Sequence, residues 1–204
     1  MKRTLLVLIA LTFSGITNAQ FHKGDFGVSF IKKLPVIETN SFNKELYGIE
    51  VEHLATDWLG LNYTLYANED VIHMPGGLVA GLGALVLLSS SSSAGADIDS
   101  KILLYAFAIP EGLSFNLQVV NNVYLSPYIN PLGLDYAFGK DNEGIKFENQ
   151  FSMTGASGIK FKGLMNIAEK TSIVLTAFAE GHTQYVADKE YGVRAGFGLG
   201  FVLN

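Results

Sequence analysis

Apolar and polar positions alternate along most of the chain. In the C-terminal segment Tyr191, Val193, Ala195, Phe197, Leu199, Phe201 and Leu203 form one face. Glu190, Gly192, Arg194, Gly196, Gly198 and Gly200 form the other. A period of two predicts a strand. A soluble half-buried strand would turn its apolar face inward and its charges outward. A face of glycines with one arginine makes a poor solvent face. It suits the crowded interior of a narrow barrel, with the apolar face outward. The same alternation recurs over residues 25–30, 47–52, 59–65, 113–119, 145–161 and 173–184. With the segment 123–137, that makes eight strands.

Connection lengths alternate as well. Residues 55–57 and 120–122 are three-residue links, and 163–170 is a somewhat longer polar one. The first connection, 32–44, and the third are long. Short turns on one side and long loops on the other fit an eight-stranded antiparallel up-and-down β-barrel. The seventh connection, 186–190, is short and departs from that trend.

The third connection loses alternation. Residues 76–88 are apolar, five serines follow at 89–93, and 102–109 is apolar again before Pro110. Two apolar arms around a polar apex predict a helical hairpin over 76–109, between strands 3 and 4. Gly77 and Gly81 are spaced so that two helices can approach closely. A pair of buried strands or a low-complexity loop is the alternative. Pro127 and Pro131 interrupt the next segment. Proline cannot donate to a ladder and belongs at edges or bulges. The barrel is therefore expected to be distorted or opened there. Gly77, Gly81, Pro127, Tyr128 and Pro131 together form a candidate helix-packing or apolar-ligand site.

The first 19 residues follow the three-part pattern of a secretory signal peptide. Met1-Lys2-Arg3 is basic, 4–13 is apolar, and 14–19 is small and polar, with Thr17 and Ala19 at −3 and −1. A buried N-terminal helix is the alternative. Removal would leave one barrel domain, 20–204, and take the net charge from −5 to −7 by loss of Lys2 and Arg3. An acidic chain disfavours nucleic acid as a partner. No cysteine is present, which excludes disulfides, thiolate metal sites and a lipid-anchored N-terminus. An apolar fraction of 49% with only 16% charged residues is high for a soluble domain.

These features resemble the small eight-stranded outer-membrane barrel proteins of Gram-negative bacteria. The stretches Ile109-Pro110-Glu111-Gly112 and Ser126-Pro127-Tyr128-Ile129-Asn130-Pro131-Leu132 are similar to barrel proteins of the Bacteroidetes type. The resemblance implies a location in the outer membrane, with lipid as the partner. Such families often end on an aromatic residue. This chain ends Phe201-Val202-Leu203-Asn204, so a soluble periplasmic or secreted barrel is the alternative.

Catalytic and metal signatures are sparse. His22, His53, His73 and His182 lie on separate segments without ligand spacing. No cofactor is expected. Glu180 and His182 share a face, and Ser126 or Ser152 could supply a nucleophile for a lipid hydrolase. The stronger expectation is an ion-paired interior plug of Glu50, Glu52, Glu180, His182 and Arg194, because buried charge needs partners. Setting Tyr185 opposite Tyr191 on the outward face places His182 opposite Arg194 and makes Glu180 its diagonal neighbour. The expected role is structural or interactive, without conduction. Binding of an apolar, lipid-like ligand comes second and lipid hydrolysis third.

Overall fold

A computed structural model describes residues 19–37, 45–91, 108–138, 150–184 and 191–203. It is an antiparallel barrel. The strands are β1 (Phe26–Ile37), β2 (Leu46–Leu54), β3 (Leu59–Ala67), β4 (Val71–Pro75), β5 (Gly112–Phe115), β6 (Leu117–Val120), β7 (Val123–Ala137), β8 (Gln150–Ala168), β9 (Thr171–Gln184) and β10 (Tyr191–Leu203). The order β2-β1-β10-β9-β8-β7-β4-β3 closes on itself through the β2–β3 pairing. β4 and β5 both lie between β3 and β7. They are two parts of one wall position, continued by β6, so the barrel has eight strands.

The outer surface is apolar. Phe30, Ile49, Leu65, Ile129, Ile159, Leu175, Phe197 and Leu199 are all exposed. Aromatic residues gather at the two rims. Trp58 stacks on Phe115 at the end with short turns. Tyr136, Phe138 and Phe151 pack together at the other, where Tyr47 and Tyr191 are also exposed. An apolar band between aromatic girdles is the pattern expected of a barrel whose outer wall faces hydrocarbon.

Three boundaries differ from the sequence expectation. β1 runs on to Ile37, so the first loop is shorter than 32–44 and Lys33 becomes a buried wall residue. β8 runs to Ala168, which leaves only Glu169 and Lys170 as a turn where 163–170 was expected to link two strands. In β1 Lys32-Lys33 and Pro35 break the alternation, and in β8 the mostly apolar run Leu164-Met165-Asn166-Ile167-Ala168 hides it. The last hairpin pairs Tyr191 with Thr183, not with Tyr185, which lies outside the described residues. The connection is two residues longer than expected, and an even slip leaves every face unchanged.

The helical insertion starts as expected. Helix α1 (Gly76–Ser91) is apolar through Leu88 and ends on serines, and all but the last two residues of the second arm, 102–109, lie outside the described residues. Gly77 and Gly81 are buried, whereas Leu78, Leu82, Leu85 and Val86 are exposed. Among the described residues no helix is long and apolar enough to cross a membrane. The position of the insertion is a correction: it interrupts strand four instead of joining strands 3 and 4. The five residues of β4 were too few to read as a strand.

The irregular β7 is one continuous strand. Its register shifts between Asn130 and Gly133, which makes Pro131 and Leu132 a bulge directly opposite the break in strand four. Gly76 sits on the Leu132 carbonyl, so a side chain at that helix start would strike backbone. Pro127 falls in the gap between the β5–β7 and β6–β7 ladders, where its missing N–H costs nothing.

An N-terminal segment stoppers the short-turn end. Phe21 packs with Leu54, Tyr124, Leu164, Val174 and Val202. The Ala19 amide donates to Asn122 Oδ1 at 2.7 Å and the Phe21 amide to the Tyr124 hydroxyl at 3.2 Å. The chain then turns at Gly24, whose φ of 95° favours glycine.

Candidate functional site

The lumen holds the candidate plug. Inward positions on facing strands put acids from β2 and β9 against lysines from β8 and β1. Lys162 bonds Glu52 at 2.6 Å, and the same carboxylate accepts from Ser114 and Asn116. One layer up, Lys160 bonds Glu50 at 2.6 Å and lies 4.4 Å from the centre of the Tyr128 ring. Next, Lys33 meets both oxygens of Glu180 at 2.8 and 3.0 Å, and the Tyr128 hydroxyl donates to Glu180 at 2.5 Å. All of these groups are buried. Each charge is both paired and hydrogen-bonded, as burial demands.

Glu50, Glu52, Glu180 and Arg194 therefore face inward, but their partners differ from expectation. Arg194 stands directly opposite Glu180, and Gly192 opposite His182. The Glu180 carboxylate is held by Lys33 and Tyr128, while Arg194 Nε has no hydrogen-bond partner among the described residues. Glu50 and Glu52 serve Lys160 and Lys162 and do not reach for Arg194. His182 Nε2 lies 3.8 Å from Asp135 Oδ2.

A second cluster sits higher, at the break in strand four. His73 Nδ1 is 2.5 Å from Asp135 Oδ1, and Nε2 is 3.1 Å from both Glu111 Oε1 and Thr64 Oγ1. The Thr64 hydroxyl donates to Glu111 Oε2, and the Thr64 amide does so at 3.1 Å. Two carboxylates on one ring are satisfied together by the imidazolium form, which donates from both nitrogens. Sequence reasoning missed this cluster. Its members are far apart in the chain, and only the register brings them together.

The arrangement is a filled interior. Among the described residues no group of three acids or histidines is placed to hold a metal. Ser126 is fully buried and donates to Asn116, away from His182. A serine–histidine–acid set with Ser126, His182 and Glu180 is therefore not assembled. Tyr128 points into the lumen and leaves the candidate apolar set, which the structure does not gather in one place. Pro131 lines an open groove of about 380 Å³ on the outer face with Ile129, Gly155, Gly181, Tyr191 and Val193.

No family model matches the chain, and no curated protein matches it. Among solved structures it is similar to the N-terminal β-barrel domain of Pseudomonas aeruginosa OprF. Identity is 13%, the TM-score is 0.48, and the match covers 89% of this chain and 98% of that domain. It is also similar to a de novo designed transmembrane β-barrel, at 10% identity and a TM-score of 0.37, covering 91% of this chain and 98% of that one.

Proposed function

We propose that this chain is an outer-membrane β-barrel with a structural or interaction role, exported by a signal peptide that ends at Ala19. The observation that carries this is the inside-out distribution of side chains. Lysine–glutamate pairs fill the lumen, and phenylalanine, isoleucine and leucine cover the outside. Water would oppose that surface, whereas hydrocarbon favours it. Among the described residues, stacked ion pairs and the Phe21 stopper occupy the lumen, which supports a barrel that does not conduct. The Bacteroidetes affinity of the two proline-bearing stretches belongs to the same proposal.

The single tryptophan, Trp58, tests the membrane placement. In reconstituted vesicles its fluorescence should be quenched by lipids brominated near the headgroup and much less by lipids brominated at the chain ends. Equal emission with and without brominated lipid would identify a soluble barrel. For export, intact-mass measurement of the membrane-fraction protein should give a chain beginning at Gln20. A mass that retains residues 1–19 would refute cleavage.

The outer groove favours a second function, the seating of an apolar ligand. Its volume falls within the range of ligand sites, roughly 300–1,000 Å³. Lipid that stays bound through detergent exchange, and is lost on Gly181→Leu, would support this.

A further inference from the structure

We propose that the junction in strand four is a lateral seam in the barrel wall, held shut from inside by a side-chain latch of Glu111, His73 and Thr64.

Backbone pairing is thin at this point. β3 pairs with β4 only at Tyr66–His73 and Ala67–Ile72, and with β5 only from Asn62–Gly112 downward, with one further backbone bond, 2.9 Å, from the Glu111 amide to the Asn62 carbonyl. Tyr63, Thr64 and Leu65 lie between the two ladders. Where a ladder would give the Thr64 amide a carbonyl, it finds the Glu111 carboxylate instead. The other face of the junction is also interrupted. β7 pairs with β4 as far as Pro75–Gly133 and with β5 at Leu113–Ile129, so residues 130–132 lie between those two ladders, where the Leu132 amide donates to the Glu111 carbonyl at 3.2 Å.

Glu111 is turned out of its natural direction. Gly112 and Ser114 are buried on the lumen side, so alternation would send residue 111 outward. Its side chain is instead only 2% exposed and bonded to His73 and Thr64. His73 stands just before the insertion and Glu111 just after it. The latch therefore ties the two roots of the insertion together across the break. Groups from every neighbouring strand surround it: Thr64 and Tyr66 from β3, Asp135 from β7, Thr154 from β8 and, beyond Asp135, His182 from β9.

A latch of side chains can open without unfolding the barrel, because few ladder bonds need to break with it. The opening would face the bilayer, since Tyr63 and Leu65 on the same stretch point outward and α1 rises from the same junction.

Thr154 supplies a reporter. It is fully buried beside His73, and its hydroxyl has no hydrogen-bond partner among the described residues. The chain has no cysteine of its own, so Thr154→Cys places one thiol in the closed lumen. The full-length protein in lipid vesicles would be treated with an apolar maleimide that partitions into the bilayer, or with a sulfonated one confined to water. Adding Glu111→Ala removes the contacts to His73 and to the Thr64 hydroxyl and amide and should raise apolar labelling by at least about tenfold, the change in open population that even one lost charge-assisted hydrogen bond produces. The sulfonated reagent should remain slow. Lys162→Met, deep in the lumen away from the junction, should weaken the barrel without that rise. Unchanged labelling in Glu111→Ala, an equal rise in Lys162→Met, or equal rates for both reagents would each overturn the seam. If Glu111→Ala fails to fold, Glu111→Gln decides, because it keeps an acceptor for Thr64 and loses only the charge facing His73. A rise of about threefold is expected there, and none would overturn the proposal.

Discussion

Lys160→Met is expected to destabilise the barrel by about 3–5 kcal/mol, the range for removing one partner of a buried ion pair. Lys160 is only 1% exposed and gives Glu50 a 2.6 Å bond. Without it, Glu50 keeps the Tyr66 hydroxyl at 3.4 Å as a weak donor and stands as an uncompensated charge in a packed interior. Methionine fills most of the volume that the lysine stem occupied, so lost packing contributes little. The second substitution separates charge from shape. Lys160→Met with Glu50→Gln removes the orphaned charge and should regain at least half of the loss. Denaturant midpoints in detergent micelles measure both. A Lys160→Met midpoint equal to that of the unaltered protein would show that Glu50 is already solvated. A double variant as weak as the sum of the two single ones would show that the pair is not coupled.

Alternation was enough to reveal the barrel because each strand carries its own evidence: the glycine-and-arginine face of β10 is legible without knowing its neighbours. Partners are different. Glu50 and Lys160 are 110 residues apart in the chain, and they meet only because the two strands face each other across the lumen. Lys160 stood on the polar face of its segment and could be placed inward from sequence. Lys33 could not, because the apolar pattern of β1 blurs beyond Phe30 and the strand was ended too soon. The Glu180–Arg194 diagonal came from a hairpin two residues too short. Since two residues is one full repeat of the pleat, the faces survived and the pairings did not. His73 was hidden for another reason. β4 is a five-residue strand against an apolar helix, and nothing in its composition marks a boundary. The helix was visible because residues 76–88 lose the alternation of a strand and Gly77 and Gly81 stand at the spacing of a helix contact. The stopper formed by Phe21 had no signal, because one phenylalanine after a signal peptide has no periodicity to join.

Excision of residues 76–110, with Pro75 joined to Glu111 and Glu111→Leu added, is expected to leave a folded barrel. The register dictates this design. Between the Tyr66–His73 and Asn62–Gly112 pairs, β3 supplies three residues, 63–65. Strand four supplies three as well, Met74, Pro75 and Glu111, once the insertion is removed. The ladder can then run through without a slip on that side. On the other side β7 has one residue more than strand four, and the existing bulge at Pro131 and Leu132 absorbs it. In a regular strand Pro75 faces inward and residue 111 outward, so a retained Glu111 would place a carboxylate on the apolar surface. Excision without Glu111→Leu should therefore be the weaker of the two proteins. The penalty should be smaller than the ~2–4 kcal/mol of a basic residue at the bilayer midplane. Heat-modifiable migration on gels and far-ultraviolet circular dichroism report whether the barrel forms. An excised protein that carries Glu111→Leu and still fails to form the barrel would show that the insertion is needed to build the wall. If the barrel forms, the insertion is an appendage on a complete wall, and the latch that ties its roots should become dispensable. His73→Gln would then cost the excised barrel less than it costs the full-length protein, because His73 would no longer hold Glu111 across a break.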